Sequence, residues 1–97
     1  MTSTNPHVEK LTASTTEVDV DTDGSGDVVV SVTELRNIES PADASASASG
    51  GYVANVQSVD GHDVTVRVFE SAGSAAELSA VTGTTDLTDV HVKAEGY

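Results

Sequence analysis

The chain has no cysteine and no tryptophan, and its only basic residues are Lys10, Arg36, Arg67 and Lys93. Without cysteine there is neither a disulfide staple nor thiolate chemistry. So few cations leave no basic patch with which to hold phosphates, which argues against a nucleic-acid partner. Aromatic residues are limited to Tyr52, Phe69 and Tyr97. Large side chains carry most of the energy of a core, so a core built mainly of valine and alanine is thin. The opening residues, MTSTNPHVEKL, hold no apolar stretch long enough for a signal peptide or a transmembrane helix. Synthesis in the cytosol, departure by assembly or lysis, and no membrane insertion are therefore expected. Neither the spacing of a long amphipathic helix nor a repeat of solenoid period is present.

What the chain has in abundance is negative charge. Sixteen acidic residues face the four basic ones, for a formal net charge of −12 on 97 residues. At ordinary ionic strength such a surface repels itself and loosens the compact state, a balance associated with proteins of salty media. In molar salt the Debye length falls to about 3 Å and the repulsion is screened. High charge with few aromatics also marks disordered chains, but the strand patterning below opposes that reading for most of the length. A chain of this size fits one domain and buries only about 60–65% of the surface its unfolded form exposes. The lone subunit is thus expected to be marginal. A homo-oligomer of about three to six subunits, as a closed ring or trimer, would cover apolar surface that the protomer cannot.

Hydrophobic alternation of period two recurs along the chain and predicts an all-β fold, a small antiparallel β-sandwich of about six strands. Residues 1–15 read as a flexible N-terminal arm or a first edge strand, and residues 16–97 as the sandwich. Val18 and Val20 alternate with acidic residues, DTDGSGD (Asp21–Asp27) is rich in turn formers, and Val28, Val30 and Val32 resume the alternation, predicting a hairpin. Leu35 and Ile38 are expected core anchors. Asp43–Ser49 alternates alanine with serine, as either a linker or a thin strand, and strand is preferred. Gly50-Gly51 leads into Tyr52–Val59, the turn Asp60–Asp63 and the return Val64–Glu70, a second hairpin. Ser71–Thr85 reads as a loop or as holding a short helical turn near Ala75–Leu78. Leu87–Ala94 alternates again, with Val90, Val92 and Ala94 inward and His91, Lys93 and Glu95 outward.

Asp19, Asp21, Asp23 and Gly24 resemble the opening of a calcium loop. An EF-hand, however, needs a bidentate Glu at its twelfth position and flanking helices. That position falls on Val30 or Val32, in strand sequence, so a solvated acidic loop is expected, with Asp21, Asp23 and Asp27 as the residual metal candidates. His7, His62 and His91 lack zinc spacing. No serine lies in a nucleophile elbow, and the glycines make no phosphate loop. No catalytic residues and no cofactor are therefore expected, and the chain reads as not an enzyme. Tyr52, His62 and Tyr97 are the candidates for interface or surface recognition, since aromatics are enriched at such surfaces. For the two tyrosines, packing at the edge of the core is the alternative.

The segment GGYVANVQSVDGHDVTVRVFE, with the ending LTDVHVKAEGY, resembles short proteins that recur in virion gene sets of tailed viruses, and the likeness extends over residues 18–97. The acidic composition makes haloarchaeal viruses the expected source. The resemblance implies a small β-sandwich that decorates a capsid, forms a turret on it, or belongs to the tail. Its partners would be copies of itself and the major capsid protein or another virion protein, at the capsid surface after assembly in the host cytoplasm. The sandwich is also similar to the H-type lectins, trimeric sugar-binding folds, although none of their site residues carries over. The alternative function is accordingly a lectin-like module of a tail or cellular surface protein that binds host-surface glycan.

Overall fold

The computed structural model describes residues 10–71 and 78–97. Within them the chain is all-β, with two antiparallel sheets and one short 3-10 turn at Pro41–Asp43. Seven strands are formed among the described residues: β1 (Leu11–Glu17), β2 (Asp27–Ser31), β3 (Ala44–Ala48), β4 (Val53–Asp60), β5 (Asp63–Ser71), β6 (Leu78–Ala80) and β7 (Val90–Gly96). The first sheet has the order β1-β7-β3, and the second has β2-β5-β4 with β6 also paired to β5. Of the arm or edge strand expected over residues 1–15, residues 1–9, His7 among them, lie outside the described residues.

The core follows from the alternation. Val64, Val66 and Val68 of β5, Val30 of β2, and Val90 and Val92 of β7 are all essentially inaccessible to solvent. They meet Val32, Leu35 and Ile38 in one cluster that both sheets share. Full burial of each such side chain contributes about 1.5–3 kcal/mol. Ala44, Ala46 and Ala48 line the inner side of β3, half-buried against this cluster. Alanine fits there because β3 lies against β4 at the margin of the sandwich, where the two layers come close.

The β4–β5 hairpin forms as expected. Asp60 stands opposite Asp63 across the two-residue loop Gly61-His62, and Gly61 has φ +64°. Positive φ at the first loop position is what a type II′ turn requires of glycine. The register of β4 shifts once, between Val56 and Ser58, at a bulge. The final strand also keeps its predicted parity, alternating buried and exposed residues from Val90 to Gly96.

The first hairpin does not form. The strand expected around Val18 and Val20 is replaced by β1, seven residues in an unbroken ladder with β7, which places Leu11–Glu17 at the edge of the first sheet. Val18 is 65% exposed, and Asp19, at φ +50°, turns the chain out of the first sheet toward the second. The Val18/Val20 alternation deceives because the hydrogen-bond partner of this segment is distant in sequence. The amide of Val20 donates to the Thr88 carbonyl, that of Leu87 to Val20, and that of Thr22 to Thr84, each at 2.8 Å. Two crossing segments thus pair above the sheets, and β7 begins at Val90 rather than Leu87. The short strand β6 raises the count from six to seven. The helical turn expected near Ala75–Leu78 falls mostly outside the described residues, and Leu78 itself opens β6.

Candidate recognition face

The outer surface of the first sheet is where functional side chains gather. Central β7 presents His91, Lys93 and Glu95 outward because Val90, Val92 and Ala94 must face the core. Its two neighbours present small hydroxyls in register. Thr16, His91 and Ser47 form one cross-strand row; Ser14, Lys93 and Ser45 form the next; Thr12 stands beside Glu95. Successive rows are about 7 Å apart along the strands. Thr16 Oγ1 and His91 Nδ1 lie 2.9 Å apart. Lys93 has no ion-pair partner among the described residues, whereas Lys10 lies 3.4 Å from Asp43. The Asp43 carboxylate, by charge and then by hydrogen bond, raises the pKa of Lys10 above its ordinary value.

Two shallow open grooves run over this face, of about 310 and 230 Å³. Lys93 lines both. The first continues over Asp43, Ser45 and Glu95, and the second over Ser14, Thr16, Ser47 and His91. Chemically the face offers hydroxyls, one imidazole, the Lys93 ammonium and the Glu95 and Asp43 carboxylates on an open surface, a set that suits hydrogen bonding to a polar ligand, with Lys93 as the site for an anionic group. The Thr16–His91 contact is within nucleophile–base distance. Among the described residues, however, no hydrogen bond from the imidazole to a carboxylate orients the ring.

The acidic loop is organised by its own backbone. Asp23 Oδ1 accepts from the amides of Ser25 (2.7 Å) and Asp27 (3.0 Å). These hydrogen bonds, led by that from Asp27, hold the Asp23 carboxyl below its ordinary pKa. Asp27 instead takes a two-pronged contact from Arg67, Nε to Oδ1 at 2.7 Å and Nη2 to Oδ2 at 3.2 Å. Asp21 Oδ1 accepts from the Asp86 amide at 2.9 Å. Asp21 and Asp27 are thus held by different residues, Asp86 and Arg67, and Asp23 by the backbone of its own loop. Among the described residues no group of three carboxylates or imidazoles is placed to share a cation.

The recognition candidates are likewise dispersed. Tyr52 is half-buried and packs against the core cluster. His62 sits in the β4–β5 turn, with Nδ1 2.9 Å from the Leu35 carbonyl, so that nitrogen donates, and Nε2 3.6 Å from Asp63. Tyr97 is half-buried at the same end of the sandwich. The Glu39 carboxylate, by hydrogen bond and then by charge, raises the pKa of its phenol. The three do not form one surface.

Sequence reasoning missed the hydroxyl rows of β1 and β3, because neither strand was known to flank β7. It also missed Phe69. The inward parity of Val64, Val66 and Val68 turns this residue to the outer face of the second sheet, opposite Val53 and Ala80. That parity was readable, and it is the signal that would have found it. Comparison with protein-family models, with curated proteins and with solved structures returns no match.

Proposed function

We propose that this chain is a non-catalytic structural subunit of a surface assembly, a capsid decoration or turret protein on a tailed virus particle of a salty environment. The observation that carries the reading is the apolar surface left outside the core. Leu11, Val18, Val29, Val53 and Leu78 are 41–65% exposed on a domain of 97 residues. A scatter of single apolar residues is ordinary on any surface. Here, however, Val53 adjoins Phe69 and Ala80 in one cross-strand row, with Leu78 diagonal to it. A small domain with a thin core gains from covering such a row with a neighbour. The virion setting comes from the resemblance of residues 18–97 to small virion proteins. The deciding experiment is quantitative mass spectrometry of purified particles. The chain is expected at a copy number that is a fixed multiple of the capsid repeat, and its absence from particles would end the proposal.

A second reading, a lectin-like module that contacts host-surface glycan, is favoured by the face of β1, β7 and β3. Its hydroxyl rows and Lys93, which has no ion-pair partner among the described residues, suit a sugar chain bearing carboxylate or sulfate groups. A glycan array probed at molar salt with the assembled protein is expected to show binding that Lys93→Ala weakens. An array blank for every acidic glycan removes this reading and leaves the structural one standing.

A further inference from the structure

The carboxylates are unevenly spread. From Ala44 to Val59 the sequence contains no aspartate, glutamate, lysine, arginine or histidine. This run is β3, the Ser49–Tyr52 turn and nearly all of β4. In the fold β3 is one edge of the first sheet and β4 one edge of the second, and the two lie against each other. The side wall formed by residues 44–59 is thus free of formal charge, with Asp43 and Asp60 at its two ends. Its exposed side chains are Ser45, Ser47, Ser49, Val53, Asn55, Gln57 and Ser58, and Phe69 borders it beside Val53. The opposite wall, β1 and β2, carries Glu17 and Asp27.

We infer that this neutral wall is the self-association surface, packed against the same wall of a second copy about a twofold axis. The inference rests on the oligomeric reading above. Two chains of net charge −12 repel when they approach through any carboxylate-bearing surface. Burying a carboxylate opposite an uncharged surface also incurs its desolvation cost without a partner charge. Wall against wall avoids both costs. It also covers Val53, the half-buried Phe69, and the outward backbone groups of two edge strands, the groups that otherwise template indiscriminate pairing. The bulge between Val56 and Ser58 breaks the regular edge of β4. That limits strand addition along its lower half and leaves side-chain packing around Val53 and Asn55 as the centre of the contact. A self-complementary patch of this kind gives a dimer, from which larger closed assemblies are built in pairs.

Sedimentation equilibrium of the full chain in molar potassium chloride tests the inference, with Val53→Asp and Ser47→Asp as wall variants and Ser14→Asp, on the opposite edge, as control. Far-ultraviolet circular dichroism checks that each variant folds. The wild type and Ser14→Asp are expected to sediment as dimers or even multiples. Each wall variant places two like charges across the axis and is expected to raise the dissociation constant at least about tenfold. Oligomers whose mass and dissociation constant are unchanged in both wall variants would overturn this inference while leaving the oligomeric reading intact. A wild type that is monomeric at every concentration and salt overturns both.

Discussion

Main-chain hydrogen bonds close both ends of the sandwich, and the upper end adds aspartate carboxylates that accept backbone amides. At the lower end, main chain packs on main chain. The Tyr97 carbonyl accepts from the amides of Arg36 and Asn37, Tyr97 donates back to Asn37, and Ile38 donates to Gly61. Leu35 and Ile38, 1% and 2% exposed, plug the core from below. Gly96 is required there, because a β-carbon at that position would collide with the Asn37 carbonyl oxygen. At the upper end, side chains add to the main-chain pairing of Val20 with Leu87 and Thr88 and of Thr22 with Thr84. Asp21 and Asp89 accept amides from Asp86 and Asp19 across the two crossing segments, Asp23 folds its own loop, and the Thr88 hydroxyl donates to the Ser49 carbonyl at 2.6 Å. Asp19 and Asp86 both hold left-handed backbone, at φ +50° and +51°, a conformation that aspartate tolerates better than most residues. Part of the acidic excess is therefore structural at this end.

The largest effect expected from breaking this contrast is at the lower end. Gly96→Ala forces the strand away from Asn37 and should destabilise the fold by about 4 kcal/mol, in the range reserved for severe lesions; urea unfolding at fixed high salt measures it. At the upper end, Thr88→Val keeps the volume but removes the hydroxyl, leaving the part-buried Ser49 carbonyl short of a donor. A loss of about 1–2 kcal/mol is expected in the same assay. Asp23→Ala should cost stability only where the wild-type carboxylate is charged. Its pKa is lowered in the fold, so its contribution is fully present above the unfolded-state pKa and is lost as pH falls through the folded-state pKa. The gap between wild type and variant should therefore close on acidification, a trend that denaturation curves recorded from neutral to strongly acidic pH would display. The subtlest contrast concerns salt. Lowering it leaves Asp19, Asp21, Asp23, Asp86 and Asp89 unscreened near one another, with the adjacent Arg67 already bound to Asp27. Amide hydrogen exchange at Val20, Thr22 and Leu87 should accelerate more than at Ile38 and Tyr97, and equal acceleration at both ends would remove the electrostatic distinction.

Much of the fold is legible in the sequence alone. The valine triplet of β5, the Asp-Gly of its turn and the parity of β7 each depend on residues close in sequence, where period-two burial leaves little choice. The Ala-Ser alternation of β3 was legible for the same reason. Val18 and Val20 show the limit, because their pattern is equally compatible with a hairpin to β2 and with a crossover between sheets. Only the remote partner, Thr84–Thr88, decides between them. The candidate site suffered more. His91, Lys93 and Glu95 were assigned outward correctly, yet the hydroxyls beside them come from strands some 45 to 80 residues away in sequence, as the registers Ser14↔Lys93 and Ser45↔Lys93 require. Tyr52, His62 and Tyr97 were singled out by residue type alone, and residue type does not specify which surface a side chain joins.

By itself, then, the sequence determined the all-β class, the inward valines, the central hairpin, and a chain whose charge is strongly negative with a long uncharged interval between Ala44 and Val59. These are local or compositional properties, and the chemistry of each residue settles them without reference to its neighbours in space. Tertiary structure decided which strands share a sheet, where the aspartates find amides to accept, and that the uncharged interval becomes one continuous wall. Those outcomes depend on hydrogen bonds and packing between segments far apart along the chain, which pair only when the whole core closes.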